Sequence, residues 1–169
     1  MSKTYHLTTP LSDEDVRKLE SGDIVYLSGV LYTARDAAHK KLVALIEEGK
    51  ELPFDLEGSV IYFVGPTPPK PGEPIGSAGP TTSYRMDSYS PTMLKHGSRG
   101  MIGKGKRNQE VKDACKEYGG VYFGATGGAG ALLGKRILSS EVIAYPELGP
   151  EAVRKLEVKE FPVTVINDT

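Results

Sequence analysis

The chain has 169 residues, of which 38% are hydrophobic and 25% charged, and its formal net charge is −1. That composition suits an ordinary globular protein, and residues 1–169 are expected to form one domain with a real core. The near-even charge excludes a nucleic-acid footprint, no apolar run reaches the length of a membrane span, and the first ten residues lack the apolar core of a signal peptide, so a cytoplasmic location is expected.

The first ten residues read as an extended arm. Ser12 followed by Asp13, Glu14 and Asp15 predicts a capped short helix to Leu19, with Val16 and Leu19 inward. Ile24–Leu27 reads as a strand, and Ser28-Gly29 as a turn into Val30-Leu31-Tyr32. From Thr33 to Glu48 the pattern is helical, with a stripe of Ala38, Leu42, Leu45 and Ile46 and a C-cap at Gly49. Val60–Val64 reads as a buried strand, and the proline-rich stretch from Gly65 to Gly76 as a rigid exposed connection. A helix is expected from Thr81 toward Lys95, with Thr81 or Thr82 as N-cap and a break at Ser90-Pro91. Gly100–Gly103 reads as a short strand, and Asn108 as the cap of a helix facing inward with Val111, Ala114, Cys115 and Tyr118. The strand Val121–Phe123, a glycine-rich stretch and a short helix follow. The strand Val142–Tyr145, a helix near Pro150 and the strand Val163–Ile166 complete the chain. Strands and helices alternate, so the class is α/β.

Cys115 is the only cysteine, so the chain can form no internal disulfide and cannot hold an iron–sulfur cluster with its own thiolates. On its helix face it reads as a small core residue. His6, His39 and His96 are scattered, and no spacing resembles a metal site. Gly103-Lys104-Gly105-Lys106 lacks the spacing of a phosphate-binding loop, and the glycines from 124 to 130 fit no register of a dinucleotide fingerprint.

Two segments carry chemistry instead. In Gly79-Pro80-Thr81-Thr82-Ser83-Tyr84-Arg85-Met86-Asp87, a helix begun at Pro80 would put the Thr81 hydroxyl and the Arg85 guanidinium on one face at its N-terminus, a place for an anion. Thr33-Ala34-Arg35-Asp36-Ala37-Ala38-His39 offers a second such place, where Arg35 would grip a carboxylate and His39 would orient Arg35 or Asp36. Lys104, between two glycines, would let the backbone approach a ligand closely. Each residue alone has a plain structural reading: cap, surface ion pair, core histidine or solvated lysine. Their conjunction suggests a protein that grips a small carboxylic acid.

Together with Met101-Ile102-Gly103-Lys104-Gly105 and Tyr145-Pro146-Glu147-Leu148-Gly149, these segments resemble, in order, the C-terminal domain or separate β subunit of the iron–sulfur (class I) fumarate hydratases. The pattern is also similar to that of L-tartrate dehydratase β subunits. The resemblance runs from about Thr8 to Ile166. It implies a swivelling β/β/α domain and a hydro-lyase acting on a C4 dicarboxylate. It also implies a fumarase α subunit that holds a [4Fe-4S] cluster, in a heterotetramer of two chains of each kind. By the same resemblance Thr81 matches the catalytic base, and Arg35, Arg85 and Lys104 match substrate-binding cations. Lys106 stands near enough to exchange with Lys104 in that role. Asp36, His39 and Asp87 match supporting positions. The alternatives are an L(+)-tartrate dehydratase β subunit and, from another class, a non-catalytic dicarboxylate-binding module.

Overall fold

A computed structural model describes residues 2–65, 71–72, 80–125 and 134–169. These residues form seven strands and four α-helices: β1 Thr4–Thr8, α1 Asp13–Arg17, β2 Ile24–Thr33, α2 Asp36–Glu47, β3 Val60–Tyr62, α3 Ser90–Lys95, β4 Gly100–Gly103, α4 Gln109–Tyr118, β5 Val121–Ala125, β6 Ile137–Ala144 and β7 Val153–Asn167. The mixed α/β class expected from the sequence is observed. Strands β1 to β5 lie side by side in parallel, and β7 runs antiparallel to both β2 and β5. The pairing therefore closes on itself through β2, β3, β4, β5 and β7. β1 is added along β2, and β6 along β7.

Two apolar layers follow from that closure. Val25, Leu27, Leu31, Tyr62, Ile102, Phe123, Phe161 and Val163 share one buried cluster, which Val16 and Leu19 of the α1 region join. The opposite faces of β3, β4 and β5, represented by Ile61, Phe63, Met101 and Tyr122, are covered by Ala38 and Leu42 of α2, Met93 and Leu94 of α3, and Val111, Ala114 and Cys115 of α4. This alternation follows from the two-residue period of a strand. Burial pushes the Cys115 thiol up to about 11, which suits a core residue and not a nucleophile.

Local signals set several helix ends. Ser12 and Asp15 form a capping box, and Asn108 Oδ1 accepts the N–H of Val111 at 2.9 Å. Gly119 ends α4 in the left-handed region, where the lack of a Cβ removes the penalty.

Several expectations are corrected. Ser28-Gly29 is not a turn: β2 runs unbroken through it. The pairing shifts there, because Lys159 and Glu160 of β7 face Ser28 alone, between the Leu27–Phe161 and Gly29–Val158 pairs. Glu160 takes a φ of 52°, and its N–H donates to Ser28 Oγ at 3.0 Å. This bulge lies where β7 passes from β6 as neighbour to β5. Second, no helix begins near Pro150; a 3-10 turn, Pro146–Glu151, leads directly into the fifteen residues of β7. The strand expected at Val163–Ile166 is only the end of it. Third, the strand placed at Val142–Tyr145 is the longer β6, and α2 starts three residues later than Thr33. Fourth, Thr81 opens no helix, as described below. Most of the proline-rich connection, the glycines beyond Ala125 and the short helix expected after them lie outside the described residues.

Gly29 is the residue this crossing cannot replace. Its φ is +106°, and a Cβ there would stand 2.6 Å from Thr9 Oγ1. That hydroxyl is engaged on both sides, accepting the N–H of Val30 at 2.6 Å and donating to Val30 O at 2.7 Å. Gly29→Ala is expected to lower stability by about 2–3 kcal/mol in urea unfolding, through strain and overpacking together. Gly22→Ala, at a φ of +95° with nothing within 4 Å, should show only the smaller conformational cost of about 1 kcal/mol.

Candidate active site

The parallel strands β2, β3 and β4 end at one edge, with Thr33 beside Tyr62 and Tyr62 beside Ile102. The carboxyl ends of parallel strands are where α/β folds bind ligands. Beyond Phe63 and Gly103, the segment after Pro80 enters between the ends of β3 and β4. Thr81 N donates to Phe63 O at 2.7 Å, Thr82 forms a parallel bridge with Lys104, and Ser83 N donates to Lys104 O at 2.9 Å.

These bonds explain why the expected helix does not start at Thr81. Thr82 has φ −59° and ψ 125°, an extended conformation, and its side chain caps nothing. Helix begins only as a 3-10 turn, Ser83–Met86, and α3 follows at Ser90. Thr81 and Arg85 therefore do not share a helix face. Thr81 is held in a strand-like wedge, while Arg85 stands exposed on the turn that follows.

Gly103 makes the wedge possible. A Cβ at that position would collide with Ser83 Oγ and stand 2.8 Å from the Phe63 ring. Lys104 comes next and is exposed, as is Lys106.

Arg35 reaches the same edge from β2. It precedes α2 in extended conformation, and Asp36 is the first residue of the helix. The Arg35 side chain lies along Gly65, where a Cβ would meet its Nη1 at 2.8 Å and its Cδ at 3.2 Å. Its Nε is buried without a hydrogen-bond partner among the described residues, and the same holds for Asp36 Oδ1. The anion place expected at the N-terminus of α2 is already shared with a protein carboxylate, since Glu151 Oε1 lies 3.4 Å from Ala37 N. Glu151 ends the 3-10 turn whose Pro150 O also faces Gly65, so the Tyr145–Gly149 motif leads into a buttress for the Arg35 segment.

Arg35, Thr81 and Lys104 thus come together on neighbouring strand ends, and Arg85 is set one short turn beyond. None of Arg35, Arg85 and Lys104 forms an ion pair among the described residues. An edge carrying three such cations can take an anion without first breaking a salt bridge.

His39 lies beneath this edge, 1% exposed, edge-on to Phe63 at 5.4 Å and stacked on Tyr89 at 6.1 Å. Its Nδ1 is 2.9 Å from Arg35 O, and a carbonyl only accepts, so Nδ1 carries the proton. Burial lowers its pKa from 6.5 to about 4, with the Arg107 charge acting in the same direction and the Arg35 carbonyl opposing. His39 is therefore a neutral donor that fixes the backbone of Arg35.

Asp87 is 9% exposed and anchors the other end of the wedge. It receives Arg107 Nε at 2.6 Å on one oxygen and the N–H of Asn108 at 3.1 Å on the other. Arg107 is the residue that sequence reasoning missed. It closes a short basic run with Lys104 and Lys106, both exposed, yet the Arg107 side chain is wholly buried. Its Nη2 donates to Ser90 Oγ at 2.6 Å, and its guanidinium lies 5.2 Å from the Phe63 ring centroid and 4.8 Å from that of Tyr122. No local signal marked it: the position before a helix cap packs inward when it is hydrophobic, and Arg107 is held instead by Asp87, twenty residues away.

The histidine generates a prediction with a definite sign. A native pKa depressed from 6.5 to about 4 means that the unfolded chain binds the extra proton between those values. Stability is complete above about pH 6.5 and is lost as pH falls toward 4, by about 3 kcal/mol from this residue. His39→Gln should be less stable at pH 7 but should show a flatter stability profile between pH 4.5 and 7 in urea unfolding. A profile unchanged by the substitution would show that His39 titrates normally.

Among the described residues no helix is long and apolar enough to cross a membrane. Comparison with known proteins agrees with the sequence motifs. A family model described as "Fumarase C-terminus" matches residues 1–169. The chain is 46% identical over 144 residues to "Fumarate hydratase class I, anaerobic" of Escherichia coli, covering 84% of this chain and 26% of that protein. It is 44% identical over 149 residues to "Fumarate hydratase 2" of Leishmania major, covering 87% and 26%. It thus spans about a quarter of the length of the fumarate hydratases it matches. It is also 41% identical over 165 residues to "Putative L(+)-tartrate dehydratase subunit beta" of Methanocaldococcus jannaschii, covering 94% of this chain and 85% of that one. The chain belongs to the Fumarase C-terminus family.

Proposed function

We propose that this chain is the β subunit of a two-chain hydro-lyase that interconverts fumarate and (S)-malate. One observation carries the proposal: Arg35, Arg85 and Lys104 stand unpaired among the described residues, around the strand ends that hold Thr81. A C4 dicarboxylate presents two carboxylates, and this edge offers cations for both. In this reading the domain is a single swivelling β/β/α unit that closes over the substrate from one side, in the cytoplasm.

Within the reading, Arg35 and Arg85 bind the substrate carboxylates, and Lys104 spreads the negative charge that develops as the C3 proton of malate leaves. Lys106 is the alternative to Lys104. Thr81 takes that proton. In this reading cations brought close to its hydroxyl would favour the loss of its own proton. His39 and Asp36 support Arg35, and Asp87 supports the segment that carries Thr81 and Arg85.

The residues of this chain do not fit an iron–sulfur cluster: Cys115 is the sole thiol and is buried on the inner face of α4. The reading therefore places the [4Fe-4S] cluster, and the Lewis-acid chemistry at the departing hydroxyl, on a fumarase α subunit within a heterotetramer. The similarity to a tartrate dehydratase β subunit over 85% of its length supports a separate β chain. The same similarity supports L(+)-tartrate as the second candidate substrate.

Anaerobic co-expression with the α subunit, followed by assays on fumarate, malate and L(+)-tartrate, tests the proposal. Turnover of fumarate and malate by the complex is expected, and full activity of the isolated chain would overturn it. In the complex, Thr81→Ala should lower kcat by about 10²–10⁴, the range of a general base. Turnover close to normal would remove Thr81 from that role. Arg85→Ala should raise KM as well as lower kcat, and an unchanged KM would make Arg85 structural.

A further inference from the structure

We infer that Tyr122 and Arg107 are positioning residues: a buried clasp that fixes Lys104 and the Thr81–Asp87 segment in one relative arrangement. The inference rests on the proposed use of those residues as substrate contacts. The two segments leave the sheet at different strands, and the backbone bonds between Thr82, Ser83 and Lys104 join them at the edge alone.

Beneath that edge, Tyr122 ties both. Its hydroxyl donates to Gly105 O at 2.8 Å, because a carbonyl only accepts. The same oxygen must then accept from Ser83 Oγ at 2.7 Å. One phenol thus bonds the residue after Lys104 and the residue after Thr82. Tyr122 is fully buried, and its ring carries Arg107 on its face. Arg107 repeats the tie at the far ends. It belongs to the Lys104 segment by sequence, and it bonds Asp87 and Ser90 of the other.

Neither side chain is placed to touch substrate. Tyr122 lies on β5, under the wedge, and the Arg107 guanidinium is enclosed by the Phe63 and Tyr122 rings. Their effect on a ligand passes through the backbone of Lys104–Gly105 and Thr82–Ser83. A displacement of about 1 Å in such a constellation costs about 10²-fold in rate.

Tyr122→Phe is the sharp test, because it removes one hydroxyl and keeps the ring over Arg107. In the assembled complex kcat/KM is expected to fall about 10–100-fold, at normal subunit stoichiometry. The loss should add only in part to that of Lys104→Ala, since part of it acts through Lys104, but it should add fully to that of Arg35→Ala on the β2 side. Arg107→Lys, which keeps the charge and loses the fork, should show the same pattern, and it serves where Arg107→Ala fails to fold. Unchanged kcat/KM in Tyr122→Phe, or full additivity with Lys104→Ala, would overturn the inference.

A second measurement separates this inference from the function it rests on. If the wild-type complex turns over no C4 substrate, the proposed function fails, and amide hydrogen exchange of the chain alone still reads the clasp. Tyr122→Phe should speed exchange at least tenfold at Ser83, whose N–H bonds Lys104 O, while Ile61 and Ile102 keep their protection. Equal exchange at Ser83 in both proteins would overturn the clasp.

Discussion

The structure turns on the parting of β3 and β4. Two neighbouring parallel strands exchange backbone bonds up to Phe63 N and Ile102 O, and beyond that point each leaves polar groups unpaired. Buried backbone groups demand partners, and here a third segment supplies them. Thr81 satisfies Phe63 O, and Ser83 satisfies Lys104 O. The same bonds that complete the sheet deliver the hydroxyl of Thr81 to its edge. The arrangement needs a residue without a Cβ at Gly103 and a guanidinium beneath it at Arg107. It also needs a neutral imidazole beside it at His39, because a charged one would sit buried near Arg107.

Around this point the protein segregates its cations by burial. Arg107 is enclosed, paired with Asp87, and faces two aromatic rings. Its charge is spent on holding two loops together. Arg85 and Lys104, on the two segments it ties, are exposed and unpaired among the described residues. Breaking a buried pair costs several kcal/mol, whereas an exposed cation is held at little cost until a carboxylate arrives. The short run from Lys104 to Arg107 thus divides into a binding end and an anchoring end.

That division marks the limit of what the sequence shows. Asn108, Ser12 and Gly49 announce their helix ends, because capping is local chemistry. The Gly100–Gly103 strand and the stripe through Ala38 and Leu42 are legible from periodicity. Arg107 is not, because its partner lies twenty residues away and its neighbours are ordinary surface lysines. The Thr81 segment was misread for a related reason. Proline followed by two threonines is a sound local signal for a helix start, and it was overridden by two strand ends that only the fold supplies. The long β7 was likewise hidden, because its bulge and its change of partner are set by β2, β5 and β6 together. The residues grouped as candidates were found from a motif pattern, and the reason they lie together is tertiary.

The closing role of β7 bears on how the molecule comes into being. The ring of pairings is closed between β2, near the start of the chain, and β5 by this strand, which is furthest along it. Ile24 and Thr164 are partners separated by 140 positions. Contacts of such span are made late and slowly, because the loop entropy is spent before the contact rewards it. During synthesis β1 to β5 can align in parallel while the sheet still has two open edges. The face of β2 that later carries β7 is then an unpaired template for other strands. The cationic edge built on β2, β3 and β4 would gain its final rigidity only when β7 docks.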